Sequence, residues 1–237
     1  MVVATVGWGN AAVRPRRLVV SAHIATVRAL ASPGMARLGR EVTRRIGDVW
    51  LRAGEHLTNW ASVAPDSARA QRFGAFGPGS LLRYPLGSVY NERYIRIGSG
   101  TLIGPDVALA AGMLPGQTML TDPVISIGDR CLIGRGSGIV GHLSIDIGDD
   151  VWTGHYVYIT DQNHGYDRAD VPISLQSQPE RPVVIGSGSW LGHGTVVLPG
   201  ARIGRNCVIG ANSVVSGDIP DHSVAVGAPA RVVKTVG

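Results

Sequence analysis

Aromatic side chains make up only 5% of this 237-residue chain, which argues against an interior built around stacked rings and suits one too narrow to admit them. Cysteine is scarcer still. Cys131 and Cys207 stand alone and far apart, so no disulfide framework is available, and two small buried thiols in a reducing cytoplasm are expected. No run approaches the roughly 18 consecutive apolar residues that a membrane span requires. Acid is missing altogether from residues 1–34. The apolar stretch at 18–30 is broken by His23 and Arg28 and leads to no clear small-residue cleavage site. It therefore reads as a short helix or a leader rather than a signal peptide, and Met35 offers an alternative start.

Glycine and proline, by contrast, number 33 and 14, as a chain with many corners would require. The corners have a rhythm. Ile185, Leu191, Val197, Ile203, Ile209 and Val215 recur every six residues, usually followed by glycine (Gly186, Gly192, Gly204, Gly210). Six fits neither the 3.6 of a helix nor the 2 of a strand; it requires a short strand that turns a corner and starts again. Ser189, Thr195, Ala201, Cys207 and Ser213, each four positions on, are small enough for the inside of a narrow coil. The same spacing runs through Ile97, Ile103 and Leu109, through Ile127, Ile133 and Ile139, and after a two-residue slip through Ile147, Thr153 and Ile159. Two stretches abandon it, 114–124 and 164–182. Insertions in a solenoid are displaced outward, where they tend to carry function, and the second should protrude between two coils that still stack.

Charge is uneven. Up to Arg45, eight arginines face one acid, Glu41, for a net +7, while the remainder carries −2. This basic arm contains an amphipathic helical pattern, with Leu38, Val42, Ile46, Val49, Trp50, Ala53 and Leu57 on one stripe and Arg37, Arg40, Arg44, Arg45 and Arg52 largely off it. Two readings compete: a cap over the open N-terminal end of the solenoid, or a face that rests on an anionic membrane or a polyanionic acceptor. The expected organisation is a basic helical arm over 1–72 and an all-β solenoid over 73–237, with the protruding loop at 164–182 and a C-terminal tail.

The repeat residues resemble the hexapeptide-repeat family, which implies a left-handed parallel β-helix of triangular coils and coenzyme A-dependent acyl transfer. Asn163-His164 at the loop entry, Trp190-Leu191-Gly192-His193 at its exit, Pro199-Gly200, the segment from Gly210 to Val215 and Gly227-Ala228-Pro229-Ala230-Arg231 with Lys234 are similar to the maltose and galactoside O-acetyltransferase branch and related polysaccharide-modifying enzymes. The resemblance covers the chain from about Ile147 onward and implies His164 as catalytic base, since imidazole can take the proton of an attacking hydroxyl and return it to the departing thiolate. It implies the backbone N–H of His193 as oxyanion donor. It also implies that acetyl-CoA, the co-substrate, contacts Trp190, Gly192, His193, Ala211, Ser216, Arg231 and Lys234. Where relatives commonly have Thr-Lys, this chain has Ser216-Gly217, so a basic phosphate contact is missing.

The acceptor contacts are less conventional. Family positions for Asn and Asp contacts fall here on Gly134 and His142. Asn163, Arg135, His142 and Tyr166 are the candidate substrate-binding residues, with Tyr156 and Tyr158 as further aromatic faces for a sugar. His142 and His155 are read as outward and solvated by default, and Asp161 or Asp167 as orienting partners for His164. The expected protein is a cytoplasmic homotrimer with interfacial sites that acetylates a saccharide or saccharide-containing precursor in a direct ternary complex. It is expected to need no metal and to bind no nucleic acid, with the arm as the point of any membrane contact. Transfer of a larger acyl group such as succinyl, N-acetylation of an amino sugar, and a non-catalytic scaffold are the alternatives. A zinc-dependent carbonic anhydrase of the same architecture would need three converging histidines, and His142, His155 and His164 lack the spacing.

Overall fold

The computed structural model describes residues 33–236, with side-chain surroundings from residue 37. The leader reading of the first 32 residues, His23 included, lies outside them. The chain divides between Gly54 and Glu55 into two compact units. The one α-helix among the described residues, α1, spans Pro33–Ala61.

From residue 75 onward the chain forms the expected left-handed β-helix. Each coil contributes one short strand to each of three parallel sheets. The first sheet stacks Ala75–Phe76, Ile95–Ile97, Ile125–Ile127, Ile145–Ile147, Val183–Ile185, Arg202–Ile203 and Asp218–Ile219. The second runs from Leu81–Leu82 to Ser223–Val226, and the third from Val89–Tyr90 to Val214–Val215. The six repeat residues from Ile185 to Val215 are all 2% exposed or less, so the periodicity is the period of the core. Burying each such side chain is worth about 1.5–3 kcal/mol. Both cysteines are buried and free.

The small inward residues do more than fill space. The Ser80 hydroxyl accepts from the Thr101 N–H (2.9 Å), the Thr101 hydroxyl from the Cys131 N–H (3.0 Å), and the Ser189 hydroxyl from the Cys207 N–H (3.0 Å). Corner amides that the ladders leave over are thereby satisfied inside the coil. Glycine after the repeat residue is needed for close approach: a Cβ at Gly192 would sit 2.6 Å from the Ala211 nitrogen, and one at Gly186 2.6 Å from Gly204 backbone.

The N-terminal opening of the solenoid is closed by residues 62–73. Val63 pairs antiparallel with Leu82, and Val63, Ala70 and Phe73 are buried members of the core, with Phe73 edge-on to Phe76 at 5.4 Å. Along α1, Leu38, Val42, Ile46, Val49, Trp50 and Leu57 are exposed. The apolar first coil needs a cover, and the chain immediately before it supplies one.

Both interruptions leave the stack intact. Ile145–Ile147 pairs in register with Val183–Ile185 across the longer one. The C-terminal tail is a strand, Arg231–Thr235, antiparallel to Ser223–Val226, and it covers the second sheet's last edge.

Candidate active site

The site begins at a buried carboxylate. Asp161 is 0% exposed, and its oxygens accept the backbone N–H groups of His142 (2.8 Å), Leu143 (2.8 Å) and Ser144 (2.7 Å). Those three residues form the corner that carries the two-residue slip, so Asp161 ties the irregular corner of one coil to the point where the next leaves the stack. It is thereby committed elsewhere and does not orient His164, as the sequence had allowed.

Beyond Asp161 the chain leaves as a narrow ribbon. Gln162 bridges Glu180, the Asn163 N–H donates to the Pro179 carbonyl (3.1 Å), and the Gly165 N–H to the Ser177 carbonyl (2.7 Å). A Cβ at Gly165 would lie 2.5 Å from that carbonyl oxygen, so the ribbon needs glycine there. His164 stands between these ties. Its N–H bonds to Asn163 Oδ1 (2.9 Å), and its ring Nδ1 lies 3.4 Å from Gln178 Nε2. Gln178 is itself bonded to the Gln162 side-chain amide, which makes a Gln162–Gln178–His164 chain across the ribbon. The carboxamide pair was not legible beforehand, because residues 162 and 178 meet only when the insertion folds back.

Asn163, His164, Tyr166 and Ser216 line one cavity of about 440 Å³ with Gly165, Asp167, Pro179, Arg181, Leu198 and Pro199. Four expected site residues are thus brought together. The others are not in it. Arg135 lies at a different cavity of about 540 Å³ with Tyr84 and His155, and its guanidinium is 3.4 Å from Asp106. His142 corrects the expectation of a solvated ring: it is 8% exposed, with Nδ1 3.4 Å from Glu180 Oε1 at the foot of the ribbon. The slip in the repeat folds this corner inward.

The remaining expected residues sit where the second sheet turns into the third. Trp190 points outward from the second sheet, Gly192 is buried, and His193 and Ala211 are exposed on the corner. This corner differs from that between the first and second sheets. There the N–H groups of Ser99, Asp129, Asp149 and Arg205 are capped by side chains of the next coil, Asp129, Asp149, Ser187 and Asp221. At the His193 corner no such cap exists, and among the described residues the N–H groups of His155, His193 and Ala211 have no acceptor. Beside them Tyr156, at φ 58°, holds a left-handed conformation that the equivalent Gly136 and Gly194 adopt freely. Its ring packs edge-on to His193, centroids 5.6 Å apart. Arg231 and Lys234 are exposed on the C-terminal strand, Lys234 in register with Val224, and the Arg231 guanidinium donates to the Ala230 carbonyl. Among the described residues no three His, Cys, Asp or Glu side chains gather to hold a metal ion.

The outward columns of the sheets differ in kind. On the first sheet the column is Arg96, Ser126, Asp146, Val184, Arg202 and Asp218; on the second it is Leu81, Leu102, Leu132, Trp152, Trp190, Val208 and Val224. On the third it is Ala108, Gly138, Tyr158, Val196 and Val214, without a charge.

Two family models match stretches of this β-helix. Residues 182–217 match the bacterial transferase hexapeptide (six repeats) model, and 124–160 the hexapeptide repeat of succinyl-transferase. Both stretches of this chain thus carry the hexapeptide repeat that these models describe. It is 46% identical over 110 residues to a probable acetyltransferase of Mycobacterium tuberculosis, Rv3034c, covering 46% of this chain and 37% of the relative. It is 43% identical over 98 residues to the putative lipopolysaccharide biosynthesis O-acetyl transferase WbbJ of Escherichia coli, covering 38% and 50%. To the galactoside O-acetyltransferase of Lactococcus lactis it is 39% identical over 108 residues, covering 43% and 52%. The chain thus spans between about a third and a half of these relatives' own length. AntD, an N-acyltransferase from Bacillus cereus solved with dTDP and 3-hydroxybutyryl-CoA, shares the fold at a TM-score of 0.62 and 18% identity, over 74% of this chain and 89% of that one.

Proposed function

We propose that this protein is an acetyl-CoA-dependent O-acetyltransferase acting on a saccharide hydroxyl, with His164 as general base. The observation that carries the reading is the cavity at the loop entry, where His164 stands beside Asn163, Tyr166 and Ser216 with its ring orientation held by Gln178. With both carboxamides of the ribbon turned, so that Gln162 Oε1 accepts from Gln178 Nε2–H and Gln178 Oε1 accepts from His164 Nδ1–H, Nε2 of His164 is left free to take the acceptor's proton. The alkoxide then attacks the thioester carbonyl and forms the C–O bond. The free His193 N–H receives the developing oxyanion, and the tetrahedral intermediate collapses with the C–S bond breaking. His164 returns its proton to the thiolate, so the imidazole ends neutral and no acyl-enzyme forms. The uncapped corner amides suit the amides of a pantetheine arm laid along the coils, and Arg231 and Lys234 suit its phosphates. The saccharide acceptor is favoured by the relatives, two of which are named for O-acetyl transfer in lipopolysaccharide biosynthesis and on galactosides.

His164 and the His193 corner lie on different edges of the triangular solenoid, in consecutive coils. A ring of subunits in which each places its loop against the next one's corner would unite them, and the uncharged outward columns of the second and third sheets provide the surface for it. The site is therefore assigned to the interface of a homotrimer.

The test is thiol release from acetyl-CoA by purified protein against a panel of hexosides, amino sugars and their glycosides. Release that depends on a hydroxyl acceptor supports the reading. Release only with an amine makes the protein an N-acetyltransferase, and none with acetyl, succinyl or larger thioesters leaves a binding scaffold.

A further inference from the structure

The helix α1 has a face that the solenoid's chemistry does not use. Leu38, Val42, Ile46, Val49 and Leu57 are each about half or more exposed, with Trp50 at 74% and Trp60 at 85% beside them. The apolar positions repeat at eleven residues: Leu38 with Val49, Val42 with Ala53, Ile46 with Leu57, and Val49 with Trp60. Eleven residues in three turns nearly matches the helix's own period, so the stripe runs straight along the cylinder instead of winding around it. A straight stripe fits a flat surface.

The charges are placed to match. At 100° per residue Arg45 and Arg52 border the stripe, where their long stems can lie along it; Arg45 bonds Glu41 at 3.0 Å in an exposed pair that is worth little and can exchange for another anion, while Asp48 and Glu55 lie further round. The unit ending at Gly54 holds nine arginines against two acids. A second copy of the helix is a poorer occupant. It would bring the arginines that border the stripe against their own kind, and no acid stands inside the stripe to meet them across the contact.

We propose that α1 lies in the headgroup region of an anionic phospholipid bilayer, with Ile46, Val49, Trp50 and Leu57 entering the acyl boundary and Arg45 and Arg52 pairing with lipid phosphates. The proposal is independent of acyl transfer, and its test does not read activity. The full chain is floated with vesicles of phosphatidylglycerol mixed with phosphatidylcholine, and with phosphatidylcholine alone. Binding is expected only to the anionic vesicles, and raising the salt from ~0.1 M to ~0.5 M should weaken it. Arg45→Gln with Arg52→Gln, which leaves the stripe untouched, should weaken it by about five-fold per arginine. Ile46→Asp with Val49→Asp should abolish it. Failure to float with anionic vesicles overturns the proposal, as does binding unchanged in both double variants. A stripe variant that lowers the oligomeric state of a protein that never floats would assign the stripe to a second copy and overturn it equally.

Discussion

Asp161 and His164 are three residues apart and do unrelated work. Asp161 is fully buried on three backbone N–H groups, so Asp161→Ala would strand them, at about 1–3 kcal/mol for each unsatisfied group. The expected outcome is a loss of several degrees in melting temperature together with loosening of the loop. His164 is exposed, and His164→Ala should leave the melting temperature within error while turnover falls by roughly 10²- to 10⁴-fold. Circular dichroism melts and thiol-release kinetics on the same preparations separate the two. Tyr156 is a third case. Its left-handed backbone costs about 1–2 kcal/mol that glycine would not incur. Tyr156→Gly should therefore change stability little, the relieved strain offsetting the packing lost, while raising KM for the acceptor if the ring faces it. Charge and thiol chemistry give two further checks. The Arg130 guanidinium bonds both Asp150 oxygens at 2.8 Å and holds that carboxylate below its ordinary range. The contribution is present above the ordinary carboxylate range and lost as the pH falls through the depressed value. Because the pair is exposed, Asp150→Asn should flatten the acid limb of the stability curve only slightly. Burial pushes the Cys131 thiol up, so it stays protonated at neutral pH. With Cys207 equally enclosed, a thiol reagent should label neither until the protein is denatured.

The coil is the element on which the sequence could be read. Each strand's inward residue recurs at six, and between the interruptions the core obeys it from Ile97 to Val215 because a residue inside a triangular coil has no alternative neighbour than its counterpart one coil away. The loop entry was legible for the same reason: the rhythm stops at His164. What lay beyond the rhythm was not legible. His142 sits in the slip, where two extra residues fold the corner inward under Asp161, and a six-residue template assigns it to the outside. Gln162 and Gln178 meet across a ribbon whose pairing is set by three-dimensional closure. The plug at 62–73 has no period at all, so the six-residue rhythm could not announce it. The glycine corners follow from the stacking distance, and Gly134→Ala would press a Cβ to 2.1 Å from the Gly154 carbonyl oxygen. That substitution should cost several kcal/mol, on the scale of core overpacking or beyond, and a chemical denaturation curve will read it as a lower midpoint at unchanged slope.

For the whole molecule, the outward columns are uncharged on the second and third sheets of the solenoid and charged on the first. Removing residues 1–60 should leave the solenoid folded and associated, because Val63, Ala70 and Phe73 close its end from within the retained chain. A monomer that retains activity would contradict the assignment of the site to an interface. That assignment is the centre of the account, and subunit mixing tests it most directly. His164→Ala removes the base from one edge of the coil, and Ala211→Trp obstructs the corner at the other without entering the core, since Ala211 is exposed. Each homotrimer alone should be inactive. Co-expressed, they should recover activity, because random mixing leaves roughly a quarter of the interfaces with both halves intact in a heterologous ring. Activity no greater than the sum of the two inactive parents would place base and corner in the same subunit and contradict the account.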